Sequence, residues 1–189
     1  MLGIDGGIVN VGVCVLNEGA IEVLETDRIH STQNKTVCEL STIVAMWVCD
    51  RAEKWGLRDV DLLVVESVIR AKIQSVGVAI VAAISTWRIS NGLPLPKIMM
   101  KSGRTKFNMN PHMKAAAASL QGKRNYHDRK HLSVRFCHHV WPETSEQGPD
   151  SCDALLLALA GSSCIAKSKL DQGTLDVLKL CASSSMCPS

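Results

Sequence analysis

The pattern of apolar and polar positions predicts strands at the start of the chain and a helix after them. The segments LGID, NVGVCVLN and AIEVLE are short and rich in β-branched residues or alternate apolar with polar positions. A turn at 17–19 separates the last two, so the first 24 residues are predicted to form a three-stranded meander. Apolar residues then recur at helical spacing over residues 35–55, behind cap-forming polar residues at 31–34.

Strands and helices alternate in the remaining pattern. The run DLLVVE at 61–66 is typical of a strand buried on both faces, and KIMMK at 97–101 is a further short strand. Helical patterns occupy 75–90, 110–120, 126–140 and 150–166, with Pro149 suited to the first turn of the last helix. This order predicts the α/β class, with a mixed five-stranded sheet flanked by helices.

Length and composition fit one globular domain. The chain has 189 residues, of which 46% are hydrophobic and 21% charged. We predict a domain over 1–168 and a partly disordered C-terminal tail over 169–189. The longest apolar stretch, VGVAIVAAI, is too short to span a membrane, and Asp5 interrupts the first apolar run, where a signal peptide would need continuity. An intracellular protein with no membrane partner is expected.

The eight cysteines are scattered, and several lie inside apolar segments. No CxxC pair is present, which argues against a zinc ribbon. Free buried thiols are therefore favoured over disulfides.

The formal net charge of +3 conceals a strong asymmetry. Residues 97–130 contain nine Lys or Arg against the single acid Asp128, a balance of +8 that leaves −5 for the rest of the chain. A basic segment on an acidic body favours a polyanion as partner, although an ordinary solvated face is the alternative.

Four carboxylates stand at the ends of predicted elements. Asp5 and Glu66 end apolar strands, and Asp150 and Asp153 begin the last helix, three residues apart on one face. Each alone is an ordinary strand end or helix cap. Gathered at one edge of a sheet they would repel one another unless a cation neutralised them, and Mg²⁺ or Mn²⁺ suits oxygen ligands. Two such ions can promote phosphodiester cleavage.

Three segments carry a resemblance to a known family. The strings LGIDGGIVNVGVCVL, VVES followed by GVAIVAA, and DSCDALLLALA are similar to those of RuvC-type Holliday junction resolvases, within the ribonuclease H-like (retroviral integrase) fold. The similarity runs over residues 2–160. It implies a ribonuclease H-like fold and a site for Mg²⁺, with Mn²⁺ able to substitute. The implied metal-binding and catalytic acids are Asp5, Glu66, Asp150 and Asp153.

Two departures qualify the resemblance. Bacterial members usually carry Pro-Gly after the first Asp, whereas here Gly6-Gly7-Ile8-Val9-Asn10 follows, which resembles poxvirus-type and fungal mitochondrial resolvases. A viral protein acting in host cytoplasm or nucleus is therefore expected, with a mitochondrial location left open. Ile69 is the nearest residue to the aromatic wedge of bacterial members, so an apolar wedge remains possible.

The resemblance also implies a basic residue that assists catalysis. Lys130 matches best, with Arg129 and Lys101 as rivals, and a phosphate-binding lysine without a chemical role is the alternative. DNA-binding residues are expected mainly in the basic segment: Lys72, Lys101, Arg104, Lys106, Lys123, Arg124 and Arg129.

A four-way junction has two-fold symmetry, so one site per chain implies a homodimer. The apolar helix over 76–89 would form the interface through Val81, Ile84 and Trp87, unless it is simply buried between the sheet and other helices. The expected function is metal-dependent, structure-selective endonuclease activity that makes paired symmetric nicks in four-way DNA. Alternatives are a nuclease for flaps or other branched substrates, a non-catalytic DNA-binding member of the fold, and an actin-like nucleotide-binding module, which needs a longer chain.

Overall fold

A mixed five-stranded sheet organises the chain. Its strands are β1 (Leu2–Gly6), β2 (Asn10–Asn17), β3 (Ala20–Arg28), β4 (Leu62–Ser67) and β5 (Lys97–Ser102). The spatial order is β3-β2-β1-β4-β5. The meander β1-β2-β3 is antiparallel, whereas β4 pairs in parallel with both β1 and β5. The predicted fold class is confirmed.

The structure is a computed structural model that describes residues 1–7, 9–18, 20–29, 35–67, 71–109, 114, 118 and 125–161. Several predictions lie outside the described residues: most of the helix over 110–120, Ile69, Lys123, Arg124 and the tail over 169–189. The backbone of Lys72 is described in a helix, but its side chain is not.

Within the residues that the structure describes, four long helices cover the two faces of the sheet. They are α1 (Val37–Arg51), α2 (Ala71–Ser90), α3 (Asn125–Val140) and α4 (Pro149–Gly161). Short 3₁₀ helices span Thr105–Met109 and Pro142–Thr144. Helix α1 starts at a capping box formed by Thr36 and Glu39, where two backbone N–H groups gain acceptors.

Two apolar clusters form the core, one on each face. The alternating side chains of β1, β2 and β4 pack against α1 and α2 on one face, with Leu2, Ile4 and Val65 among them. On the other face α4 packs against β2, and α3 packs against α4. Residues 151–159 of α4 are all buried, so this helix runs through the interior and its first turn is held firmly against the sheet.

Helix α2 packs on the sheet through one side. Val76, Ile80 and Ile84 are fully buried at four-residue intervals, and the buried Arg88 donates to the carbonyl of Val60. The assignment of Ile84 to a dimer interface is therefore wrong, because its side chain belongs to the core of its own chain. By length and composition alone Ile73–Ser90 could cross a membrane, a test that the central helix of a folded domain also passes.

The described cysteines are all free, as predicted. Cys14, Cys137 and Cys152 are buried, whereas Cys38 and Cys49 are exposed on α1, where they fall on its outer side. The expectation of buried thiols is thus correct for three of these five.

Candidate active site

Asp5 and Glu66 meet at the carboxyl ends of adjacent parallel strands. The register pairs Ile4 of β1 with Val65 of β4, so the two acids occupy the next positions at the same edge of the sheet. Asp5 is almost fully buried, and a hydrogen bond joins its carboxyl group to that of Glu66. The parallel pairing thus brings together two acids that lie far apart along the chain.

The first turn of α4 delivers Asp150 and Asp153 to the same edge. Gly12 of β2 stands opposite Asp5 in the sheet. A Cβ atom at Gly12 would collide with the backbone carbonyl of Asp150, so only glycine lets the helix start come this close to the strand. The close approach places Asp153 in the interior, with 1% of its surface exposed.

Lys130 of α3 joins three of the acids. Its Nζ lies 2.9 Å from Asp5 Oδ2, 2.9 Å from Asp150 Oδ1 and 2.5 Å from Asp153 Oδ2. The ammonium group therefore offsets the repulsion among carboxylates that come from β1 and α4.

Lys106, which was predicted only as a DNA-binding residue, lies inside the site beside Asp153. Its side chain is buried, and its Nζ is 2.6 Å from Asp153 Oδ2. The chain turns back after β5 across Glu66, and a Cβ atom at Gly103 would collide with Glu66 Oε1. The signal in the sequence was a lysine in SGRTKF, directly after a strand that adjoins the Glu66 strand.

The pKa values of Asp5 and Glu66, the two acids at strand ends, are shifted in opposite directions. Burial, the hydrogen bond to Asp5 and repulsion from the Asp5 charge raise the pKa of Glu66 to about 9. Burial alone would raise the pKa of Asp5, but the Glu66 hydrogen bond and the ammonium groups of Lys130 and Lys106 outweigh it and lower this pKa. At neutral pH the pair shares one proton, which Glu66 donates to Asp5.

The remaining predicted basic residues lie around this centre. Lys101 stands beside Glu66 in the β4–β5 pairing and is partly exposed. Arg104 is exposed in the turn that follows β5. Arg129 is half-buried, and its Nε has no hydrogen-bond partner within the described part of the chain.

The carboxylate oxygens of the four acids are ligands of the kind that a hard divalent cation prefers. In this structure, however, they do not point to one common position. Within the residues that the structure describes, no three His, Cys, Asp or Glu side chains are arranged to hold a metal ion. The carboxylates turn instead towards the ammonium groups of Lys130 and Lys106. Asp153 Oδ1 is buried and lacks a hydrogen-bond partner among the described residues, which leaves an oxygen suited to a cation.

Two solved structures share this architecture. T. thermophilus RuvC in complex with Holliday junction substrate has a TM-score of 0.51 and 16% sequence identity, over 84% of this chain and 89% of that one. The yeast mitochondrial Holliday junction resolvase Ydc2 has a TM-score of 0.55 and 13% identity, over 97% of this chain and 85% of that one. The fold is that of the RuvC-like resolvases.

The likeness to RuvC-like resolvases concerns the fold, since both identities are low. No protein-family model and no curated protein sequence matches this chain. The resemblance predicted from the motifs around Asp5, Glu66 and Asp153 is confirmed at the level of the RuvC-like fold. The chemistry must be argued from the site itself.

Proposed function

We propose that this chain is a divalent-metal-dependent endonuclease that makes paired, symmetric nicks in four-way DNA junctions. The observation that carries the proposal is the meeting of four acids, from β1, β4 and α4, with the buried Lys106 and the partly buried Lys130 at one edge of a RuvC-like sheet. In support, T. thermophilus RuvC is a protein of this fold that is solved with a Holliday junction substrate.

The four acids are the groups that would hold Mg²⁺ or Mn²⁺. All are oxygen donors, and a buried acidic centre next to a DNA phosphate is the setting in which such cations bind. When bound, the ions lower the pKa of water and stabilise charge on the phosphodiester oxygens. The lowered pKa of Asp5 keeps that carboxylate charged, whereas Glu66 holds a proton that must leave before it can act as an anionic ligand.

We assign to Lys130, rather than to Arg129 or Lys101, the role of the basic residue that assists catalysis. Its Nζ lies within 2.9 Å of carboxylate oxygens on both β1 and α4, so it stands where a scissile phosphate would approach the acids. Lys106 is a second such cation, and its Nζ contacts the same Asp153 oxygen as that of Lys130. Ammonium groups fixed there would stabilise the extra negative charge on the phosphate in the transition state.

The face between α1 and α2 is proposed to bind a second copy of the chain. A groove of about 720 Å³ lies between these helices and is lined by Val37, Ala45, Val78 and Trp87 among others. Val78 is 56% exposed, and Val37 is 59% exposed. Paired nicks require two active sites, and each chain has one, so a homodimer through this face meets the requirement. Val81 and Trp87 stay in the predicted interface, and Val78 takes the place of Ile84.

Flap or other branched DNA remains a second class of substrate, because the four acids and two lysines would serve any phosphodiester. A panel of labelled DNAs (four-way junction, flap, nicked duplex and RNA-containing duplex) incubated with Mg²⁺ separates these classes. We expect the four-way junction to be cut fastest. Preference for another substrate would replace the proposed specificity while keeping the chemistry.

A non-catalytic DNA-binding role is tested by substitution. Asp5→Asn and Asp153→Asn are expected to abolish cleavage while junction binding persists, because each removes an anionic oxygen from the site. Asp128→Asn, on the same helix as Lys130 and outside the acidic centre, is the matched control and should cut normally. Undiminished cleavage by Asp153→Asn would rule out the proposed chemistry.

A further inference from the structure

The exposed face of α3 carries a row of three histidines and one arginine. His127, His131, Arg135 and His139 follow one another at intervals of four residues, and all four are exposed. We call this set the histidine stripe. At 1.5 Å per residue its members rise by about 6 Å each and cover about 18 Å of the helix axis. Sequence reasoning missed it because the four residues are dispersed along HDRKHLSVRFCHH.

The histidine stripe begins beside the proposed active site. His127 precedes Lys130 by three residues, so these two positions are neighbours on the helix surface, and His131 lies one turn beyond His127. The rings of His127 and His131 lie 4.4 Å apart, tilted by 55°. Packing does not account for these side chains, since the buried side of α3 is formed by Leu132 and Phe136 among others.

We propose that the histidine stripe binds the phosphates of a DNA arm that leaves the active site. This inference rests on the proposed function. About 18 Å corresponds to roughly five nucleotides of one strand at 3.4 Å each. Arg135 supplies a constant positive charge, whereas the three imidazoles attract phosphate only when protonated. Junction affinity is therefore expected to strengthen as the pH falls.

Other charged groups surround the histidine stripe. On α3 these are Asp128, Arg129 and Lys130. The elements packed against α3 contribute Asp150 and Asp153 of α4 and Glu143 of the second 3₁₀ helix. Their influence is common to wild type and variants, so a comparison between the two isolates the contribution of the imidazoles.

The test measures the dissociation constant of a labelled four-way junction in EDTA, over a salt series at about pH 6 and about pH 8. The variant is His127→Gln/His131→Gln. His138→Gln is the matched control, because His138 is on the same helix but its ring lies 3.1 Å from the Gln147 carbonyl oxygen. Arg135→Gln tests the constant member of the stripe.

For wild type we expect a steeper salt dependence at the lower pH, by about 0.9 in log–log slope for each imidazole that contacts a phosphate, hence up to about 2.7 for the three histidines of the stripe. The double variant should lose about two thirds of this difference and keep the share of His139, His138→Gln should keep all of it, and Arg135→Gln should weaken binding at both pH values. If the double variant keeps the full difference in salt dependence between the two pH values, the histidine stripe does not bind DNA phosphates, even if the junction is bound and cut. Absence of junction binding by wild type at either pH would overturn the proposed function and the stripe with it.

Discussion

Replacing Glu66 by Gln is expected to flatten the dependence of the free energy of unfolding on pH. Glu66 is mostly buried and hydrogen-bonded to Asp5, and its pKa is raised to about 9, chiefly by burial and then by Asp5. Glutamine has nearly the same shape, and its amide still donates a hydrogen bond to Asp5. The substitution therefore removes the titration while it preserves the contact.

The size of the effect follows from the protons bound in each state. The unfolded chain releases the Glu66 proton near the usual pKa of 4.5, whereas the folded chain keeps it until about 9. Between these values the folded state binds one more proton, so the free energy of unfolding falls as the pH rises. One proton corresponds to about 1.4 kcal/mol per pH unit, or about 2.7 kcal/mol from about pH 6 to about pH 8. The pKa of Asp5 is lowered, so its contribution is constant over this window.

Urea unfolding in EDTA at the two pH values measures this effect. Wild type should lose up to about 2.7 kcal/mol between them, and Glu66→Gln should lose much less. The matched control is Glu53→Gln, whose side chain is 81% exposed and which should follow the wild-type profile. Parallel pH profiles for wild type and Glu66→Gln would refute the assignment of the shared proton to the Asp5–Glu66 pair.

Three further comparisons test the ion pairs of the site, the outer face of α2 and the packing at Gly12. Lys130→Met is expected to lower the free energy of unfolding in EDTA by about 3–5 kcal/mol, because it leaves the buried Asp5 carboxylate without its ion pair. Mg²⁺ should restore part of this loss, and urea titration with and without Mg²⁺ measures both effects. Ile84→Asp should unfold the chain, whereas Val78→Asp, at an exposed position of α2, should keep the fold and give monomers in size-exclusion chromatography. Gly12→Ala should displace Asp150 and slow cleavage, while Gly6→Ala, with open space around its Cβ, should not, and equal rates would contradict the packing argument.

The acids of the site could be predicted from the sequence because each lies at a recognisable boundary. A continuous apolar run that ends in Glu66 marks a buried strand, and the Asp150–Asp153 spacing marks a helix start. The convergence of these acids could also be predicted, because parallel strands end at the same edge of a sheet. These features depend on local pattern and on simple topology.

The roles of Lys106 and Ile84 could not be predicted in this way. Whether a lysine in a basic segment faces solvent or the interior depends on how the chain turns after β5, which no short-range pattern encodes. An apolar residue on α2 can serve the core or an outer face, and the helix is apolar nearly all round. Tertiary packing alone decides both cases.

The central claim is tested most directly by an immobile four-way junction, end-labelled on each strand in turn and incubated with the wild-type protein with and without Mg²⁺. We predict nicks at symmetric positions in two opposing strands, dependent on Mg²⁺, that DNA ligase can reseal. Cleavage without a divalent cation, or nicks confined to one strand, would contradict the account.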